Sequence, residues 1–170
     1  RNLDKNINKS VDYFLSIGPR HTSTLNKIIP KNKIIKIGNV KYDLYKKKNR
    51  DIFFRKSKKI KKLNNNFILI TSRFGNVNQH LGRQIKTIKN KKYQNTSKEL
   101  FYKFLNLPNK LNSSQKIYNK IIIRPHPSEN FKTWEKQINN LKYAEVVYRD
   151  NVAEWILASS ALIQNRCTTG

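Results

Sequence analysis

The sequence predicts an α/β fold in which a parallel β-sheet is flanked by helices on both faces. Two observations lead to this prediction. Apolar segments in the second half of the 170-residue chain are continuous rather than alternating, which is typical of strands buried on both faces. Amphipathic segments with helical spacing separate these strands, so strand and helix alternate along the chain as they do in doubly wound sheets.

The first 45 residues contain two short apolar runs that we interpret as strands. They cover 13–17 and 34–37, and each is followed by a turn signal, at 18–19 and at 38–39. A stretch rich in lysine and asparagine follows over 46–66, and this composition is typical of a solvated linker.

Residues 67–170 have the clearest pattern and are predicted to form the main sheet. Continuous apolar runs mark four strands, at 67–71, 121–123, 146–147 and 161–163. Helices are predicted around 81–88, 100–105, 131–141 and 152–156. Asn151 and Glu154 have the spacing of a capping box at the start of the last helix. Neither GxGxxG nor GxxxxGKS/T occurs, so the fold is Rossmann-like without its glycine signature.

A first polar cluster, RPHPSE at 124–129, directly follows the second of these strands. Prolines on both sides of His126 stiffen the loop, and Arg124 lies two residues before the histidine. Ligands of parallel sheets bind at the carboxyl ends of the strands, and this pair suits a phosphate, with arginine as a cation and histidine as a donor that can also pass a proton. The alternative is a stiff surface loop with an ordinary histidine.

A second cluster follows the last predicted strand, with Cys167 leading into Thr168, Thr169 and Gly170. Small hydroxyl residues at a strand-to-helix turn bind anions together with the N–H groups of the next helix. The alternative role for the two threonines is simple N-capping. A nucleophilic role for Cys167 is not favoured, because a free cysteine beside a strand is usually a small apolar residue.

Four further residues are candidate contacts of a ligand cleft, because each follows a predicted strand. Gly18 and Arg20 come after the first strand, where the alternative is a glycine turn with a capped helix. Asn39 follows the second strand, and Arg73 follows the strand at 67–71.

The formal charge of +26 arises from 36 basic and 10 acidic residues. Such an excess suggests nucleic acid or an anionic membrane as a partner. However, 27 of the 36 are lysines scattered among asparagines, whereas nucleic-acid readers cluster arginine with aromatic residues. We favour codon bias and a solvated surface, with attraction to anionic lipid headgroups as a by-product. Nucleic-acid binding stays open as the alternative.

Other classes are excluded or disfavoured by composition. No apolar run reaches the ~18 residues that span a bilayer. One cysteine cannot form a disulfide framework, and no His, Asp and Glu set has the spacing of a metal site, so neither metal nor cofactor is predicted. The lack of methionine and the terminal glycine lead us to expect an internal piece of a longer protein.

Four segments resemble one known family: VDYFLSIG at 11–18, IGNVKYD at 37–43, IRPHP at 123–127 and IQNRCTTG at 163–170. They resemble the bacterial surface carbohydrate biosynthesis proteins. That family is similar to capsule-polysaccharide and polysialic-acid glycosyltransferases and to CDP-glycerol glycerophosphotransferases. The family usually has Pro-Arg where Val-Lys stands at 40–41.

The resemblance implies a GT-B fold, with two Rossmann-like domains facing each other across a cleft. Residues 67–170 would be most of the C-terminal, donor-binding domain, and 1–45 the end of the N-terminal domain with the crossover between them. His126 would be the catalytic residue that contacts the donor phosphate and stabilises the leaving nucleotide. Thr168 and Thr169 would bind the same phosphate, with Arg124 and Gly170 beside them.

The implied reaction transfers a sugar or polyol phosphate from a CMP-, CDP- or UDP-linked donor to a saccharide or lipid-linked acceptor. The general base would come from outside this chain, and the implied location is the cytoplasm or the cytoplasmic face of the membrane. An epimerase of the UDP-N-acetylglucosamine 2-epimerase type shares the architecture and is a further alternative. It would need catalytic carboxylates in the cleft, which the sequence does not show.

Overall fold

The computed structural model describes residues 10–44, 46–79, 91–111 and 117–165. The helix predicted at 81–88 lies outside these ranges, and so does the predicted cluster at 167–170. The chain divides into two compact units, Arg1–Ile52 and Phe53–Gly170, and each is described by itself. The predicted division into 1–45, 46–66 and 67–170 stays a prediction.

Unit 1 contains both strands predicted in the first 45 residues. Its elements are β1 (Phe14–Ser16), α1 (Pro19–Leu25), a 3₁₀ turn (Lys31–Lys33), β2 (Ile34–Lys36), α2 (Val40–Asp43) and a second 3₁₀ turn (Lys47–Asn49). The two strands pair in parallel, with Phe14 opposite Ile34. Parallel strands need a crossover between them, and α1 is the helix of that crossover.

The segment predicted as a solvated linker contains a helix, α3 (Asp51–Asn64). No helix was predicted for these residues, so α3 is a finding of the structure, while the assignment of 46–66 as a linker stays a prediction. Phe53, Ser57, Ile60 and Asn64 are buried, and their spacing places them on one face of the helix. The two polar members are satisfied within the helix: Ser57 Oγ donates to the carbonyl of Phe54 (3.0 Å), and Asn64 Nδ2 to that of Ile60 (2.9 Å). Because two of the four buried residues are polar, the apolar spacing of a helix is not recognisable in this lysine-rich segment.

Unit 2 contains a four-stranded parallel sheet, as predicted. After α3 its elements are β3 (Phe67–Ser72), α4 (Lys91–Leu105), α5 (Leu107–Leu111), β4 (Lys120–Pro125), α6 (Phe131–Ile138), β5 (Ala144–Val146), α7 (Val152–Ala158) and β6 (Ala161–Gln164). Among the described residues, no helix is both long and apolar enough to cross a membrane.

The strand order of this sheet is β5-β4-β3-β6. From the central strand β3 the chain moves outward through β4 and β5, and then returns to the other side of β3 as β6. The direction of winding therefore reverses between β3 and β6. In open α/β sheets, ligands bind beyond the carboxyl ends of the strands at such a reversal. The ends of β3, β4 and β6 are thus the part of unit 2 that the topology points to.

Two apolar layers cover the sheet. Ile121 and Ile123 of β4 pack in one layer with Phe101 of α4 and Trp134 of α6. Between them, Ile122 points to the opposite layer, which holds residues of α3 and α7. Each of the three isoleucines is fully buried. This placement explains why β4 is continuously apolar: both faces of the strand are covered.

Helix α7 begins with the predicted capping box. The side chain of Asn151 accepts a hydrogen bond from the N–H of Ala153 (3.0 Å). In return, the carboxylate of Glu154 accepts from the N–H of Asn151 (3.1 Å). The helix then buries Trp155 against Phe67 in an edge-to-face contact, with ring centroids 6.0 Å apart. The cap therefore fixes the start of a helix that covers one face of the sheet.

We predict that Asn151→Ala lowers the free energy of unfolding by about 1 kcal/mol, because it removes the acceptor for an N–H at the start of α7. Denaturant unfolding followed by circular dichroism measures this change. The matched control is Asn140→Ala at an exposed position, expected to change stability by less than about 0.5 kcal/mol. Equal stability of Asn151→Ala and the parent protein would contradict the role of the cap.

Candidate functional site

The loop after β4 is attached to the end of the neighbouring strand β3. The N–H of His126 donates both to the carbonyl of Ser72 (3.1 Å) and to the carboxylate of Glu129 (3.0 Å). Pro125, just before it, is buried, whereas the His126 side chain is half-buried. The histidine predicted as the central site residue therefore lies at the carboxyl edge of the sheet, where the sequence placed it.

The imidazole of His126 is held from one side by Ser128. The backbone N–H of Ser128 donates to Nδ1 of the ring (3.1 Å), and its Oγ lies 2.8 Å from the same nitrogen. Among the described residues, no hydrogen bond is formed by Nε2. The ring is thus oriented through Nδ1 alone among the described contacts.

A buried carboxylate organises the base of this loop. Glu129 is fully buried. Its Oε1 accepts from Ser72 Oγ (2.9 Å) as well as from the N–H of His126, and its Oε2 accepts from the indole N–H of Trp134 (3.3 Å). A buried carboxylate is stable only when hydrogen-bonded or paired, and these donors meet that need. Glu129 therefore ties together β3, the histidine loop and α6.

Gly75, which follows β3, allows the closest approach to this loop. A Cβ added at position 75 would lie 2.3 Å from Ser128 Oγ and 2.9 Å from Ser128 Cβ. Any larger residue would have to push Ser128 away. The chain after β3 thus packs directly against the residue that orients His126.

Sequence reasoning did not assign a role to Ser72, Gly75, Ser128 or Glu129. A usable signal was present for Glu129, since it is the carboxylate that lies inside the proline-histidine motif. Ser128 contacts His126 from only two residues away, whereas Ser72 and Gly75 depend on contacts between the end of β3 and the loop after β4, more than 50 residues apart in the sequence. Such contacts leave no local pattern to read.

Arg124, predicted near the phosphate, and Arg73, a candidate cleft contact, lie at the same edge of the sheet. Arg124 is on β4, opposite Thr71 of β3, and its Nη2 donates to the carbonyl of Asp150 (2.6 Å). One corner of its guanidinium is thus bound to the loop that precedes α7. Arg73 follows β3 directly and is exposed.

The described residues that lead toward the second cluster end at Asn165, just after β6. Asn165 is buried, and its N–H donates to the carbonyl of Thr71 (3.2 Å). The chain therefore leaves β6 beside the end of β3, at the reversal of strand order. Arg166 to Gly170, including Thr168 and Thr169, lie outside the described residues, so their predicted phosphate contacts stay predictions.

Unit 1 has a pocket of its own, about 400 Å³ in volume, at the carboxyl ends of β1 and β2. Of the predicted cleft residues, Gly18 lines it, whereas Arg20 and Asn39 do not. The other lining residues are mostly small or polar: Ser16, Pro19, Thr22, Ser23, Asn26, Lys36 and Gly38. Within the described ranges of the chain, no group of three His, Cys, Asp or Glu residues is placed to hold a metal ion.

We predict that Ser72→Ala lowers the free energy of unfolding by about 2 kcal/mol, because a hydrogen bond to a charged, buried acceptor is lost. Thermal or urea unfolding measures the change. Ser57→Ala is the matched control, since Ser57 is also buried but bonds only to its own helix, and a change of at most about 0.5 kcal/mol is expected. Similar losses of unfolding free energy in both variants would show that the hydrogen bond from Ser72 to Glu129 does not stabilise the protein more than an ordinary one.

No protein-family model matches this sequence, and no curated protein matches it significantly. A solved structure of the wall teichoic acid polymerase TagF, a histidine-to-asparagine variant soaked with CDPG, has a similar fold, with a TM-score of 0.51 and 18% sequence identity. The match covers 96% of this chain and 36% of the TagF chain. The chain therefore has an α/β fold, with parallel sheets flanked by helices, that is similar to the matching part of TagF.

Proposed function

We propose that the full-length protein is a transferase of surface-polymer synthesis. It moves a sugar or a polyol phosphate from a nucleotide-linked donor to a saccharide or lipid-linked acceptor. The observation that carries the proposal is the imidazole of His126, which Ser128 holds by Nδ1 at the carboxyl edge of the sheet, while no described residue bonds to Nε2. A fixed N–H donor at this edge suits the phosphate of a nucleotide.

The chemistry of such a transfer explains why a histidine is useful here. As the bond to the donor phosphate breaks, negative charge grows on the departing nucleotide. A donor already held in place stabilises this charge without reorganisation in the transition state. One such contact is worth about 3 kcal/mol, or about a hundredfold in rate. We assign this contact to His126.

Two arginines and the two threonines of the second cluster would bind the same phosphate. Arg73 and Arg124 bring positive charge to the ends of β3 and β4. The segment with Thr168, Thr169 and Gly170 follows β6 in the sequence, and β6 lies at the reversal of strand order. The composition of this set, without carboxylates, suits an anionic ligand. The TagF structure, which was soaked with CDPG, supports a CMP- or CDP-linked donor.

We predict that His126→Ala in the full-length protein lowers kcat about a hundredfold with CDP-glycerol as donor, because the N–H donor to the leaving phosphate is lost. Release of CMP measures turnover. His126→Gln retains an N–H donor and should fall between the parent protein and His126→Ala. Unchanged turnover in His126→Ala would remove this residue from the mechanism.

We also propose that the exposed face of α3 binds anionic membrane surfaces, which would bring the enzyme to a lipid-linked acceptor. Six exposed basic residues lie on this helix, at 55, 56, 58, 59, 61 and 62. Large apolar side chains stand among them: Ile52 is 65% exposed and Leu63 is 79% exposed. A basic helix with exposed apolar residues is typical of segments that lie on anionic lipid.

We predict that replacing Arg55, Lys58 and Lys62 by glutamine weakens binding to vesicles of phosphatidylglycerol and phosphatidylcholine at least tenfold. Each basic residue near such a surface contributes about 1 kcal/mol. Sedimentation of the full-length protein with vesicles, over a range of salt concentrations, measures the affinity.

The matched control replaces three other exposed lysines, Lys132, Lys136 and Lys142, by glutamine. This triple variant changes the net charge by the same amount. Its substitutions lie on the side of the sheet that α6 covers, away from α3, so we expect little loss of vesicle binding. Equal losses in both triple variants would show that only the total charge matters. Tighter binding to oligonucleotides than to vesicles at physiological salt would favour a nucleic-acid role instead.

A further inference from the structure

We infer that Ser128 and Glu129 are positioning residues that set the tautomer of His126, so that Nε2 carries the ring hydrogen. The use of this hydrogen toward a donor phosphate rests on the proposed function. The inference itself rests on the hydrogen bonds around the ring, which exist without any ligand.

The hydrogen-bond donor to Nδ1 is a backbone N–H. A backbone N–H can only donate, and the N–H of Ser128 lies 3.1 Å from Nδ1 of His126. Nδ1 must therefore present a lone pair. In the neutral imidazole one nitrogen accepts and the other donates, so the hydrogen is on Nε2.

The hydrogen bonds of Glu129 hold Ser128 against the imidazole ring. Glu129, the next residue, is fully buried, and its carboxylate is held by Ser72, by the N–H of His126 and by Trp134. The N–H of Glu129 also donates to the carbonyl of His126 (2.8 Å). These bonds close a tight turn from His126 to Glu129, which places the N–H of Ser128 against Nδ1.

Gly75 limits the same turn from outside. The absence of a side chain at position 75 lets the chain after β3 lie against Ser128, since a Cβ there would be 2.3 Å from Ser128 Oγ. Ser128 is exposed to solvent, but its side chain lies between this chain and the imidazole.

The tautomer decides whether the histidine assists or opposes the proposed transfer. With hydrogen on Nε2, the ring donates to an oxygen of the departing phosphate. With hydrogen on Nδ1, a lone pair of Nε2 would face the same negatively charged oxygen and repel it. The local hydrogen bonds therefore do more than hold the loop: they select the useful form of the ring.

The test is a long-range ¹H–¹⁵N correlation spectrum of the imidazole nitrogens in the full-length protein without donor. The signal of His126 is identified by its loss in His126→Gln. We expect Nδ1 to appear as an unprotonated nitrogen and Nε2 as a protonated one. A ring with hydrogen on Nδ1 would overturn the inference, whatever the activity of the protein.

A variant tests the role of Glu129. In Glu129→Gln the amide N–H₂ must face one of the donors whose hydrogen bond the carboxylate accepts in the parent protein. Two donors then face each other, so the turn should shift. We expect a mixture of the two tautomers and a fall in kcat of about tenfold, with KM for CDP-glycerol changed much less. Glu135→Gln is the matched control, because Glu135 is exposed on α6, and it should change neither property.

Gly75→Ala is the second variant, used if Glu129→Gln does not fold. It should displace Ser128 and also give a mixture of tautomers. A ring that keeps its hydrogen on Nε2 in the folded variant would overturn the positioning role. If the tautomer is as inferred but His126→Ala turns over CDP-glycerol normally, the proposed function fails and the tautomer assignment stands.

Discussion

The carboxylate of Glu129 is the contact on which the candidate site depends. It is buried among donors from three elements: Ser72 at the end of β3, the N–H of His126 after β4, and Trp134 on α6. A carboxylate removed from water must be satisfied in this way or it destabilises the fold. The need to satisfy it therefore fixes where the histidine loop lies, and stability and site geometry have a common origin.

The topology of the sheet gives this local arrangement its place. Because β4 and β6 lie on either side of β3, the loops that follow these strands end at one edge, where the winding reverses. Arg73, Arg124 and His126 come from that edge. Positive charge and hydrogen-bond donors thus meet at this edge, and the carboxylate of Glu129 is bonded to Ser72, His126 and Trp134 beneath the loop. The proposed role in stabilising a departing phosphate rests on this placement.

Much of this arrangement could be predicted from local pattern. The apolar runs identified β3, β4 and β6, and the capping box of α7 was readable from Asn151 and Glu154. The strand at 146–147 is shifted, since β5 covers 144–146, although Val147 still bonds to the carbonyl of Ile123. The helix α3 was missed, because two of the four residues on its buried face, Ser57 and Asn64, are polar. Periodicity of apolar residues cannot detect a face of that kind.

The sequence by itself determined the class of fold and the strand end at which His126 stands. Continuous apolar strands need cover on both faces, and prolines on each side of a histidine keep the loop out of a helix. Only the tertiary structure decided which nitrogen of the ring is held and by what. Ser72 and Gly75 meet the loop from more than 50 residues away. Contacts over such distances arise from strand pairing and packing, so they appear only when the sheet has formed.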